Sequence, residues 1–240
     1  MKADRSEILA AAQRLAGADP KAVLQWASER FGGRLAIASS FSIEDCVVID
    51  MARRLKAEVP VRVFALDTGR LPDETYMTAE RVRAKYDVEI EWQFPERAAV
   101  EALERSKGLY SFRDSLENRH ECCGMRKVQP LGRALDGLDA WVTGLRREQS
   151  VTRTDTPEIE FDDERGGMCK VNPIVAWSDA QVRAYANEFR VPIHPLHERG
   201  YPSIGCAPCT RAVAPGEHPR AGRWWWENPE HKECGLHPAR

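Results

Sequence analysis

Nowhere in its 240 residues does the chain carry an apolar run approaching the roughly 20 residues that a membrane span requires. Its first residues, Met1-Lys-Ala-Asp-Arg-Ser6, open a polar amphipathic stretch and not a secretory signal. Charge of one sign is also missing: 35 basic residues against 37 acidic ones leave a net charge of −2. That balance gives no global attraction to nucleic acid or to a membrane surface, so any anion binding must be local. No internal repeat or low-complexity segment is present, which excludes solenoid and array architectures. With no export signal, the seven cysteines read as metal-binding or catalytic thiols in a reducing cytoplasm, not as a disulfide framework. The hydrophobic share of 42% is ordinary and ample for a core. The expectation is a soluble cytoplasmic α/β protein.

Two amphipathic helices open the chain, over residues 6–16 and 20–31, with Ser6 and Asp19 as N-caps, Pro20 in a first turn, and Gly17 and Gly32 closing the ends. Residues 34–41 then read as a buried strand that runs into Ser39, Ser40 and Ser42, followed by helical periodicity over 43–57. A strand, a hydroxyl-rich turn and a helix N-terminus make a phosphate or ribose cradle, because free amides and the macrodipole point there. From these residues alone, an ordinary serine-capped turn reads equally well. Cys46 falls within the apolar helical run as a core cysteine. A second strand, 61–67, ends in Leu66-Asp67-Thr68-Gly69, and a helix (72–86), a strand (88–94) and a helix (96–107) follow. This alternation argues for a parallel sheet covered by helices on both faces, with ligands held beyond the carboxyl ends of the strands.

Residues 108–120 lack clear periodicity and lead into Glu121-Cys122-Cys123-Gly124-Met125-Arg126-Lys127 and a helix to about 136. A strand over 140–145 ends in Arg146-Arg147, which suggests an anion clamp; two solvated arginines are the bland alternative. Residues 157–175 read as a β-hairpin around a Glu-Arg-Gly-Gly turn, with Cys169 structural, and a helix capped by Ser178 spans 178–190. His194 and His197 precede Cys206-Ala-Pro-Cys209 and read as loop or hydrogen-bonding residues. The last stretch is rich in Pro, Gly, Arg, His and Trp, and contains Arg220, Arg223 and the lone Cys234.

The two cysteine pairs are the most specific signal. Four thiolates suit either zinc or an iron–sulfur cluster. Adjacent side chains on a helix splay apart, which strains one tetrahedral zinc but matches separate iron corners of a cubane. A [4Fe–4S] cluster is therefore favoured over zinc, and zinc over a disulfide pair.

Taken together, SSFSIED, LDTGRLPDETY, ECCGMRK, TGLRREQS, GCAPCTRAV, the Arg220/Arg223 pair and KECGLH resemble, in family order and over nearly the whole chain, the iron–sulfur-containing assimilatory sulfonucleotide reductases. The resemblance implies an adenine nucleotide α-hydrolase-like (PP-loop, Rossmann-like) α/β sheet with a mobile C-terminal tail. It implies reduction of adenylyl sulfate (APS) to sulfite and AMP with thioredoxin or a similar dithiol protein, in sulfate assimilation and cysteine biosynthesis. The alternative is a 3′-phosphoadenylyl sulfate (PAPS) reductase or an enzyme of dual specificity. Carried over residue by residue, Cys122, Cys123, Cys206 and Cys209 are the ligands of one [4Fe–4S] cluster per subunit, and Cys234 is the nucleophile. Ser39, Ser40, Ser42, Leu66, Asp67 and Gly69 match the nucleotide cradle, and Lys127, Arg146, Arg147, Arg220 and Arg223 match basic positions near phosphosulfate or cluster. The glycine of SGG-type loops is replaced, since Ile43 follows Ser42; that argues against an ATP-splitting ligase on the same scaffold and suits APS, which has no pyrophosphate. The expected division is an N-terminal helical segment (1–33), a nucleotide-binding domain (34–205) and a cluster loop with catalytic tail (206–240). The resemblance also suggests a homo-oligomer.

Overall fold

A computed structural model of the chain describes residues 4–55, 59–149 and 153–228. The elements in chain order are α1 (Arg5–Arg14), α2 (Pro20–Phe31), β1 (Leu35–Ser39), α3 (Ile43–Arg53), β2 (Arg62–Leu66), α4 (Asp73–Tyr86), β3 (Ile90–Gln93), α5 (Arg97–Lys107), α6 (Leu116–Cys123), α7 (Gln129–Leu135), β4 (Ala140–Val142), β5 (Ile159–Asp162), β6 (Met168–Val171) and α8 (Asp179–Glu188). The expected α/β alternation is present. Six strands form one sheet in the order β3-β2-β1-β4-β6-β5. β1 pairs with β4 and β4 with β6 in parallel, while the β5–β6 hairpin is antiparallel, with Glu160 opposite Lys170. β4 and β6 are buried at every position, as strands covered on both faces must be.

Local chemistry sets the helix ends. Asp19 accepts from Lys21 N at 2.8 Å and Pro20 occupies the first turn of α2, as expected. At α1 the cap is Asp4, not Ser6: Asp4 Oδ1 accepts from both Glu7 N (2.8 Å) and Ser6 Oγ (2.7 Å). A carboxylate is the better acceptor, so the cap lies two residues earlier than the serine signals. Ser178 and Gln181 close a capping box at α8.

The chain divides into two compact units. The first comprises Met1–Phe64, Met77–Glu91 and Gly137–His194; the second comprises Ala65–Tyr76, Trp92–Asp136 and Pro195–Arg240. In the first, the buried Asp50 carboxylate accepts from Tyr86 (3.0 Å), Tyr185 (2.8 Å) and Arg54 (2.6 Å), which ties α3, α4 and α8 together. Cys46 and Cys169 are fully buried in its core, as expected for Cys46. Among the described residues no helix is long and apolar enough to cross a membrane.

Candidate active site

In the first unit the turn after β1 is held by a buried carboxylate. Asp45 Oδ2 accepts from Ser40 N (2.7 Å) and Ser40 Oγ (2.8 Å), while Ser42 Oγ caps α3 by accepting from Asp45 N. Ser39 Oγ accepts from the amide of Phe41, a fully buried residue at φ 59°. A bulky side chain in the left-handed region persists only where its surroundings hold it there. Burial pushes the Asp45 carboxyl up to about 6; the Ser40 hydrogen bonds oppose that and the Glu44 charge adds to it. Gly144, after β4, passes so close that a Cβ there would overlap Asp45 Oδ1 and lie 3.0 Å from Asp45 N and Glu44 Cβ.

Glu44 in turn engages Arg146. Its Oε1 accepts from Arg146 Nη2 (2.9 Å) and Nε (3.1 Å) and from Gln149 Nε2 (3.1 Å), and both members of the ion pair are buried. Arg147 donates to Thr156 O at 2.8 Å and lies 3.6 Å from Glu158. The two arginines expected as a clamp thus point to opposite protein partners, and Arg146 staples the loop after β4 to the first turn of α3.

The second unit carries the cysteines. At the end of β2, Asp67 Oδ1 accepts from Gly69 N (2.7 Å), and the Tyr76 hydroxyl donates to the Asp67 carboxylate at 3.0 Å. Burial and the adjacent Asp67 push the Tyr76 phenol up to about 12, which keeps it a donor. Leu66 is half-buried, and Gly69 sits at φ 70° with Arg126 Nη1 3.3 Å from where a Cβ would be. Asp67 therefore shapes the 67–70 turn, a part its position in the sequence did not reveal.

That turn is bolted to both cysteine segments. Arg126 Nη1 donates to Thr68 O (2.7 Å), Cys206 Sγ to Thr68 Oγ1 (3.2 Å), and Ala207 N to Arg70 O (2.8 Å). Cys122 and Cys123 end α6 and lead into a single π-helical stretch, Gly124–Val128, that carries Arg126 and Lys127. Cys206 precedes and Cys209 ends a short 3₁₀ turn, and Trp224 N donates to Cys209 O at 3.1 Å. All four cysteines line one cavity, whose wall also includes Arg126, Lys127, Arg223 and Trp224. Among the described residues no three His, Cys, Asp or Glu side chains are gathered as a ready metal cage; the thiols share a wall instead. Burial pushes the Cys209 thiol up to about 12, against the pull of Lys127 and Arg223. Cys122 is raised by burial too, with Arg126 and Arg70 drawing it back.

The cavity has unanswered donors. Arg126 Nε, Arg223 Nε and Trp224 Nε1 are buried and find no hydrogen-bond acceptor among the described residues. Leaving such groups unpaired costs about 1–3 kcal/mol each. Three cavity-lining residues that each keep one buried N–H without an acceptor, beside four soft sulfur ligands, fit an acceptor-rich, thiolate-bound group.

Several residues here carried no clear signal. Arg119, in the unpatterned stretch before the cysteines, is fully buried, pairs with Glu227 at 2.9 Å, and lies 4.6 Å over the Trp224 ring. Trp224, at φ 39°, gave only the hint of a Trp-Trp-Trp run. Arg220, half-buried, donates its amide to His218 Nδ1. His194 is buried, and His197 Nδ1 meets Tyr201 O at 2.9 Å; neither lines the cavity. Cys234 lies outside the described residues.

The fold is that of the adenine nucleotide α-hydrolase-like class. It is shared with FMN adenylyltransferase from Candida glabrata, 14% identical with a TM-score of 0.58, over 99% of this chain and 81% of that one. The phosphoadenosine phosphosulfate reductase domain model matches residues 34–212, and the chain belongs to that family. The chain is 51% identical over 203 residues to the adenosine 5′-phosphosulfate reductase of Allochromatium vinosum, covering 85% of this chain and 78% of the relative. It also matches the phosphoadenylyl-sulfate reductase from Candida auris, solved as a phosphate complex: TM-score 0.74, 29% identity, 89% of this chain and 99% of that one.

Proposed function

We propose that this protein reduces adenylyl sulfate to sulfite and AMP. The observation that carries the reading is the single cavity lined by Cys122, Cys123, Cys206 and Cys209 together with Lys127 and Arg223, in a chain 51% identical to a named adenosine 5′-phosphosulfate reductase. These four cysteines would hold a [4Fe–4S] cluster, which supplies a covalent brace between the end of α6 and the 206–209 turn. Zinc suits the four thiols less well, because two of them are adjacent in sequence.

Phosphosulfate is anionic at both ends, so a thiolate approaching it is repelled unless cations compensate. Lys127 and Arg223 provide that charge, and its value grows as negative charge builds on departing AMP. Ser39, Ser40 and Ser42, in a turn that Asp45 holds in the first unit, and Leu66, Asp67 and Gly69, in a turn that Tyr76 holds in the second, match the nucleotide-binding positions of the family. Arg146 and Arg147 order the loop after β4, and Arg220 matches a basic position of the family. Cys234, on a tail comprising part of 206–240, attacks the sulfate sulfur. An S–S bond forms, the S–O bond to phosphate breaks, and AMP leaves with the electron pair. A thiolate of thioredoxin or a similar dithiol protein then attacks Cys234 Sγ and expels sulfite with the S–S electron pair. Its second thiol resolves the mixed disulfide, so the partner is oxidised and Cys234 is restored.

The test is turnover of APS and of PAPS by anaerobically purified protein, with iron and acid-labile sulfide measured on the same sample. Preference for APS with iron and sulfide present supports the reading. PAPS preference would move the substrate to the 3′-phosphorylated nucleotide, and zinc in place of iron and sulfide would refute the cluster.

A further inference from the structure

The cysteine cavity and the 67–70 turn are joined by one acidic residue that neither the motifs nor the proposed chemistry uses. Glu104 lies on α5, and its Oε1 accepts from two guanidinium groups at once: Arg126 Nη2 at 2.6 Å and Arg70 Nη2 at 3.0 Å. Both arginines line the cysteine cavity. Arg126 is buried and uses its other terminal nitrogen on Thr68 O. Arg70 lies 5.2 Å over the Phe112 ring, and its carbonyl accepts from Ala207 N, between Cys206 and Cys209. Glu104 therefore closes a ring that runs from α5 through Arg126 to Thr68, along the turn to Arg70, and back.

We propose that Glu104 is a positioning residue for the cysteine centre: it fixes the aim of Arg126 and Arg70 and couples the 67–70 turn to Cys122 and Cys206. Without it, two long cationic side chains beside a cavity of thiols would repel each other and spread over several rotamers. An acceptor oxygen shared by two guanidiniums holds both forks in one geometry. Because one oxygen accepts both bonds, an amide oxygen at the same place can keep the geometry without the charge. The inference rests on the cluster reading given above.

The experiment compares wild-type protein with Glu104→Ala, Glu104→Gln and a control, Glu101→Ala, which removes an exposed pair with Arg97 from the same helix. Each is purified anaerobically, its visible cluster absorbance is followed during incubation with an iron chelator, and AMP affinity is measured by calorimetry. Glu104→Ala should lose absorbance several-fold faster than wild type and bind AMP several-fold more weakly. Glu104→Gln should recover most of both, and Glu101→Ala should match wild type. Chelation and AMP binding unchanged in Glu104→Ala, with a loaded wild type, would overturn this inference alone. Equal impairment in the Ala and Gln variants would overturn it in favour of a pure charge effect. A wild type without iron and acid-labile sulfide would overturn the cluster reading and the inference with it.

Discussion

Substituting Gly144 by alanine tests the construction of the serine turn directly. Gly144 does not adopt a positive φ, so alanine meets no backbone obstacle there, and the loss of glycine's freedom in the unfolded chain would by itself stabilise by about 0.4–1 kcal/mol. The cost is steric. The new methyl would overlap Asp45 Oδ1 and crowd Asp45 N and Glu44 Cβ at 3.0 Å each. None of these can swing aside cheaply: Asp45 is fixed by Ser40 N and Oγ, and Glu44 by Arg146. Overpacking a closed site costs about 1–3 kcal/mol, and lengthening the two Ser40 bonds adds about 1 kcal/mol. The net expectation is a loss of about 2 kcal/mol, seen as a fall in Tm of roughly 4–8 °C for a chain this size. Because the displaced group is the one that holds the turn, AMP affinity should fall more than in a variant equally destabilised elsewhere in the first unit. Differential scanning fluorimetry and calorimetry read the two quantities. Wild-type Tm together with wild-type AMP affinity would refute the packing of Gly144 on Asp45.

Two further outcomes follow from buried charge. Asp45 is raised from 3.8 to about 6 in the folded state, so the folded chain binds its proton more tightly than the unfolded one. Stability from this group therefore falls as pH rises from about 4 to about 6, by at most roughly 3 kcal/mol, and stays lowered above that. Asp45→Asn should remove this fall, so the Tm difference between variant and wild type should change across that window and level off above it; parallel curves would contradict the assignment. Glu227→Gln leaves Arg119, fully buried, without its counter-ion and should cost about 3–5 kcal/mol. Wild-type thermal stability in that variant would show that the pair is not what holds Arg119 beneath Trp224.

The order of strands and helices was legible because periodicity changes cleanly from strand to helix through residue 107, and the hairpin and α8 follow the same rules. The stretch before Cys122 was not legible. Helix α6 buries Arg119 and not a leucine, so its inward face carries no apolar stripe. The cysteines were found from spacing and resemblance, and they do meet at one cavity. What spacing could not supply was the supporting set. Arg146 looks like a ligand in the sequence, but a buried Glu44 more than a hundred residues away engages it. Glu104, Arg126 and Tyr76 look like ordinary surface residues, and their roles exist only once the 67–70 turn is folded against the cysteine segments.

The most direct measurement concerns Cys234. Incubated with radiolabelled APS and no dithiol donor, wild-type protein should retain covalent label that a dithiol protein releases as sulfite, and Cys234→Ser with its cluster intact should retain none. Label on Cys234→Ser at the wild-type level would contradict the proposed reaction at its first step.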